Sequence, residues 1–176
     1  HSPADGLAGD VYGHGTFVAA LAGGRRHGVA KCATLYDVRV LGADGGGDTV
    51  DIVQGLDAVL RRPNKTRRAI VNMSLGGKGR SQIIEWYIAA LLADNVLVVA
   101  AAGNSDAGDN ACTYTPGASD SALTVGALDM LDKMPVWSNT GKCVKVLAPG
   151  VDVYSTTADG VDQAWSGTSM AAPIAA

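Results

Sequence analysis

The sequence predicts an α/β fold built on a mainly parallel central sheet, and three observations carry that prediction. Helix-period and strand-period segments alternate along the 176 residues. Val96-Leu97-Val98-Val99 is apolar at every position, as a central parallel strand covered by helices on both faces must be. Twenty-three glycines stand against a single Phe, which points to close backbone packing and many tight turns rather than an aromatic-rich core.

In chain order, residues 17–22 read as helix, 35–41 as a β-branched strand, 50–60 as helix, 69–74 as strand, 81–94 as helix and 96–101 as strand. Beyond Asn104 the texture changes to short strands around residues 123–127, 145–147 and 151–155, separated by turn residues, before a terminal apolar helix. No internal repeat or low-complexity linker divides the chain, and its length suits one domain with a substantial core. Both ends read as open: a loop at His1-Ser2-Pro3 and an unfinished helix at Met170 to Ala176, so residues 1–176 are expected to be part of one domain.

Composition excludes several classes of function. The net charge is −3, and the basic runs Arg25-Arg26, Arg61-Arg62, Lys65 and Arg67-Arg68 are short and lie beside helix ends, which suits solvated faces better than nucleic-acid binding. The apolar stretch from Ile88 to Ala102 is interrupted by Asp94-Asn95 and is too short on either side to cross a bilayer. His1 to Gly6 has no apolar core of a signal peptide. No Cys/His spacing suggests zinc.

Two segments carry chemistry. Gly167-Thr168-Ser169-Met170-Ala171-Ala172-Pro173 is a small-residue turn entering a helix, and Gly13-His14-Gly15-Thr16 opens another. A serine hydroxyl becomes a competent nucleophile when an imidazole takes its proton, so Ser169 and His14 are candidates for nucleophile and general base. Taken singly each has an ordinary reading: His14 or Ser169 as a helix cap, Asn104 as a turn residue. The α/β-hydrolase elbow is disfavoured, because it places Ser before His and needs Gly where Ala171 stands. Two β-barrels of the chymotrypsin kind would not supply these helices.

In this order the motifs resemble those of the subtilisin-like serine proteases, in texture closest to the proteinase K branch. Gly13 to Ala19 is similar to the histidine block of that family, Ala101-Ala102-Gly103-Asn104 to its oxyanion block, and Gly167 to Pro173 to its serine block. The separations of 90 residues from His14 to Asn104 and 65 from Asn104 to Ser169 agree with it. The resemblance implies a three-layer α/β/α fold and a serine endopeptidase working through an acyl-enzyme on Ser169. His14 would be the general base, and the Asn104 carboxamide would join the Ser169 N–H as oxyanion donor. It also implies that peptide lies as an added strand between Gly45-Gly46-Gly47 and Ser74-Leu75-Gly76, with Ala101, Ala102 and Gly103 walling the pocket for the residue before the cut bond. Asp106 and Asp109 lie just beyond that pocket and leave a basic preference open.

The family's orienting aspartate lies on a strand well before the histidine, and the fourteen positions up to His14 cannot hold that strand. Asp5 and Asp10 are the upstream carboxylates, and neither is expected to orient the imidazole, so the segment alone is expected to be inactive. Cys112 and Cys143 match positions bridged in some relatives, which leaves Cys32 as either a buried thiol or a cysteine whose partner lies elsewhere. Phe17 and Ile174 stand where histidines are common. Lys145 stands where relatives often carry a calcium-binding aspartate, which makes calcium at that site doubtful; no cofactor is required for the chemistry. Partners implied are peptide or protein substrates, with room for a pro-segment inhibitor, and a monomer is expected. The Asn64-Lys65-Thr66 sequon suits secretion, whereas Asn72-Met73-Ser74 reads as buried strand. The contrasting reading is a noncatalytic module of the same fold that only binds peptides.

Overall fold

The computed structural model describes residues 9–62 and 68–176. Asp5, the Asn64-Lys65-Thr66 sequon and Arg67 lie outside the described residues.

Four parallel strands, β1 (Ala69–Met73), β3 (Val96–Ala101), β5 (Ala122–Leu128) and β6 (Val146–Pro149), form the central sheet in that spatial order. The register pairs Val71 with Val98 and Ala101 with Val125. Side chains of β3 alternate between two apolar layers. Val96, Val98 and Ala100 face Leu56 of α2 (Thr49–Leu60) and Ile84, Ile88 and Leu91 of α3 (Gln82–Ala93). Val99 and Ala101 face the opposite way, with Val125, Ala127 and Ala148, onto Ala171 and Ala172 of α4 (Thr168–Ala175). Helix α1 (His14–Gly23) packs beneath α4 through Phe17, Val18, Leu21 and Met170. The result is a three-layer α/β/α domain, as the wholly apolar β3 requires.

Local chemistry sets the helix limits. Asp48 caps α2 by accepting from the Val50 and Asp51 amides at 2.8 and 3.0 Å. After α3 the chain reverses at Asn95, whose φ of 58° is tolerated by a short polar side chain. Arg62 is not a solvated cation: it bonds Asp94 at 2.8 Å with its side chain 16% exposed and ties the ends of α2 and α3 together. Arg61 does pair at the surface, with Asp57.

Residues 35–41 depart from expectation. They form no strand, because β1 ends the sheet with β3 as its one partner and no described strand lies alongside them. Their β-branched pattern is used against a helix instead, with Val38 and Val40 packed on α2 at Gly55. Among the described residues two short strand pairs escaped the sequence pattern, β2 (Gly77–Lys78) with β4 (Tyr114–Thr115) and β7 (Val153–Thr156) with β8 (Asp162–Trp165) as a hairpin before α4, as did isolated bridges such as that from Asn104 to Ser138. Cys112 and Cys143 form a disulfide. Cys32 is an exposed free thiol, not a buried one.

Candidate active site

Ser169 occupies the first turn of α4, Asn104 the turn just after the C-terminal end of β3, and His14 the start of α1. The C-terminal edge of a parallel sheet is where open α/β folds place their ligands. His14 owes its position to Asp10. One Asp10 oxygen accepts from the Gly13 N–H at 2.8 Å and the other from the Thr16 N–H at 2.6 Å, satisfying amides that a helix start leaves free. Partial burial opposes ionisation of Asp10, but these bonds from Thr16 and Gly13 hold its carboxyl below the usual aspartate range. Its role is thus to cap the helix that carries the histidine. The His14 ring makes no hydrogen bond to a described residue. Burial pushes its imidazole below the ordinary histidine value, against the opposing pull of Asp10.

The serine is held by the end of β1 and by Ser74 just beyond it. Ser74 Oγ donates to the Ser169 carbonyl at 2.7 Å, and Ser169 Oγ in turn donates to the Ser74 carbonyl at 3.3 Å. Asn72 Nδ2 donates to Ser74 Oγ at 3.0 Å. In this structure the hydroxyl therefore rests on a backbone oxygen and not on His14.

Asn104 is oriented by Thr168. Its side-chain oxygen accepts from the Thr168 amide and from the Thr168 hydroxyl, both at 2.9 Å. The Thr168 hydroxyl also accepts from the Gly103 N–H at 3.1 Å. With Oδ1 so engaged, Nδ2 is the end of the amide left for a ligand. A methyl group on Gly167 would lie 3.5 Å from Asn104 Nδ2 and 3.7 Å from the Ser169 nitrogen, so these two donors border open space because residue 167 has no side chain. That is an arrangement able to take a developing oxyanion.

Two clefts meet at these groups, and Tyr12, His14, Asn104 and Ser169 line both. The longer, of about 710 Å³, runs between Gly45-Gly46-Gly47 on one side and Ser74-Leu75-Gly76 on the other, with Ala101 and Gly103 at the serine. The second, of about 680 Å³, is walled by Trp165, Ser166 and Met170. Trp165 stacks on Phe17 of α1 at 4.4 Å between ring centroids, and the Ser155 hydroxyl of β7 donates to the Phe17 carbonyl at 2.9 Å.

Ala102 corrects the expected pocket wall. Just past the end of β3 it turns inward, fully buried with Ala111 and Cys143, so of the three residues only Ala101 and Gly103 border the cleft. Buried Asn139 braces that wall from behind, donating to the Ala102 carbonyl at 3.1 Å and accepting from Ser105 Oγ at 2.8 Å. Asp106 is exposed, whereas Asp109 is engaged by Tyr114 and Lys78. Thr168 lies inside the serine block, but nothing in the sequence marks it as the residue that orients Asn104. Tyr12, Tyr114 and Trp165 carry no local signal at all. Lys145 is exposed, and among the described residues no group of three His, Cys, Asp or Glu side chains is gathered to hold a metal ion. No helix among the described residues is long and apolar enough to cross a membrane.

Known proteins share this geometry and sequence. The sequence model of the Subtilase family matches residues 3–176. The chain is 41% identical over 170 residues to an extracellular serine proteinase of Thermus sp. (strain Rt41A), covering 96% of this chain and 40% of that protein. It is 41% identical over 172 residues to proteinase T of Parengyodontium album, covering 96% of this chain and 58% of that protein. Among solved structures, a cold adapted subtilisin-like serine proteinase superposes with a TM-score of 0.89 at 37% identity, over 95% of this chain and 59% of that one. The chain thus spans from under half to about three fifths of these relatives.

Proposed function

Because the chain belongs to the subtilase family, we propose that it forms part of the peptidase domain of a secreted serine endopeptidase, with Ser169 as nucleophile and His14 as general base. The observation that carries this reading is that His14, Asn104 and Ser169 border both clefts, where the two halves of a cleaved peptide would have to lie.

In the proposed reaction Ser169 Oγ leaves the Ser74 carbonyl, gives its proton to His14 and attacks the scissile carbonyl carbon. The oxygen becomes an oxyanion facing Asn104 Nδ2 and the Ser169 N–H. His14, now protonated, donates to the leaving amine as the C–N bond breaks, which leaves an acyl ester on Ser169. Water gives a proton to His14, attacks the ester and releases the acid, and the serine recovers its proton. Burial favours the neutral form of His14, which is the form a base needs. No cofactor takes part in these steps.

No described carboxylate hydrogen-bonds His14, so the reading requires an orienting acid from outside residues 9–62 and 68–176. In a subtilisin, loss of that acid lowers kcat by roughly 3 × 10⁴. Substrate would add as a strand between Gly45-Gly46-Gly47 and Ser74-Leu75-Gly76, a mode that relies on main-chain bonds and tolerates many sequences. Peptide or protein substrates, a pro-segment inhibitor occupying the same cleft and a monomeric state belong to this proposal. The Cys112–Cys143 disulfide supports an oxidising, extracellular setting.

The test is a fluorophosphonate probe applied to the full-length protein. Labelling at Ser169 that disappears in His14→Ala is the expected result. Absence of labelling in the folded protein would leave a peptide-binding module instead.

A further inference from the structure

We infer that Lys78, Asp109 and Tyr114 form a charge lock on the subsite for the residue before the cut bond, so that neutral side chains are accepted there and cationic ones are refused. This assignment rests on the peptidase reading above.

Tyr114 and Lys78 are cross-strand partners in the short β2–β4 pair, and both line the longer cleft together with Ala101, Gly103 and Ser169. The Tyr114 ring lies beside Gly103, where a Cβ would be 3.4 Å from Tyr114 Cδ1 and 2.6 Å from Asn139 Nδ2, and it borders the same cleft as Ala101 and Gly103. Its hydroxyl donates to Asp109 Oδ2 at 2.7 Å, and the Lys78 ammonium reaches the same oxygen at 3.2 Å. One carboxylate oxygen at the far end of the tyrosine thus carries two donors. The Tyr114 hydroxyl bond and the Lys78 ammonium hold the Asp109 carboxyl below the usual range, while Asp109 raises both partners. The carboxylate is ionised and already answered at neutral pH.

Selectivity follows from that occupancy. An incoming Lys or Arg side chain would seek Asp109, find its Oδ2 taken, and meet a like charge on Lys78. An uncharged side chain meets a tyrosine ring and two small walls. The counter-ion is held from the solvent side, with the Lys78 side chain 73% exposed, so it is removable without disturbing the core. Acid residues near the oxyanion block, which leave a basic preference open when read from sequence alone, have the opposite consequence here because a lysine distant in sequence neutralises the relevant one.

The experiment compares kcat/KM for peptide substrates differing only in Phe, Lys or Arg before the cut bond, using full-length protein counted by fluorophosphonate titration. Lys78→Met should move the Lys-to-Phe ratio about tenfold toward Lys by freeing a carboxylate and removing a like charge. The shift should weaken as salt is raised. The double variant Lys78→Met with Asp109→Asn should return the ratio toward that of the wild type, and Lys78→Arg should keep it. An unchanged ratio in titratable Lys78→Met enzyme, or a shift that survives Asp109→Asn, overturns the charge lock alone. Failure of the wild-type protein to label at Ser169 overturns the peptidase reading and the charge lock with it.

Discussion

The Thr168 amide and hydroxyl both donate to the side-chain oxygen of Asn104, each at 2.9 Å. This pair of bonds fixes which end of the carboxamide faces the open space beside Ser169. Thr168 is fully buried and Asn104 is exposed, so the packed partner orients the solvent-facing one.

Asn104→Ala should therefore lower kcat by about 10² to 10³ with little change in KM, the size of loss seen when one oxyanion donor is removed from a subtilisin. Thr168→Val keeps the shape but loses the hydroxyl, freeing the Asn104 amide to turn and leaving the Gly103 N–H unpaired. It should lower kcat by about tenfold and reduce stability by roughly 1–3 kcal/mol. Steady-state kinetics and a thermal melt separate the two effects.

Gly167→Ala is a test of space rather than of backbone conformation. The backbone at 167 is extended, with φ at 161°, so alanine fits it without strain. Its methyl group would stand between 3.5 and 3.7 Å from the two donors. The expected outcome is a normal melt with a kcat reduced by about an order of magnitude or more, since donors must reach the oxyanion at hydrogen-bond distance.

Asp10→Ala should act on α1 first. Two amides lose their acceptor, and loss of a cap of this kind costs about 1 kcal/mol, read as a lower melting temperature. The folded carboxyl titrates below its ordinary value of 3.8, so this contribution is complete above that pH and fades as pH falls through the lower folded value. Melts of wild type and variant should converge in acid.

The acid limb of kcat/KM should report His14. Burial lowers its pKa and the Asp10 carboxylate raises it, so Asp10→Asn removes the raising influence. The limb should move to lower pH in Asp10→Asn, because the imidazole then loses its proton more readily. A shift in the opposite direction would show that Asp10 does not act on His14 through its charge.

Replacing both Cys112 and Cys143 by serine should destabilise the protein by about 3–4 kcal/mol on the chain-entropy estimate for a loop closed across 31 residues. The melting temperature under non-reducing conditions measures it, and dithiothreitol should lower the wild type toward the variant.

Much of the candidate site is legible in the sequence because its motifs are local. His14, Asn104 and Ser169 each sit in a short block whose small neighbours state the geometry, and β3 announces two covered faces by being apolar throughout. The features that escape depend on partners far away in sequence. Residues 35–41 have a strand pattern, yet a ladder needs a neighbour that composition cannot supply. Ala102 reads as part of the pocket wall with Ala101 and Gly103, although it packs against Ala111 and Cys143, which are close to it only in space. The neutralisation of Asp109 joins residues 31 positions apart through a strand pair only two residues long, which no pattern of periodicity announces.

The stacking of Phe17 on Trp165 has a bearing on how the site could be altered. One ring belongs to the helix that carries His14, and the other is a wall of the second cleft. With Ser155 also fastened to that helix, hairpin and helix behave as a single mechanical part. On the peptidase reading, a substitution that reshapes the Trp165 wall should also shift His14, so a change of leaving-side preference should come with a change in kcat.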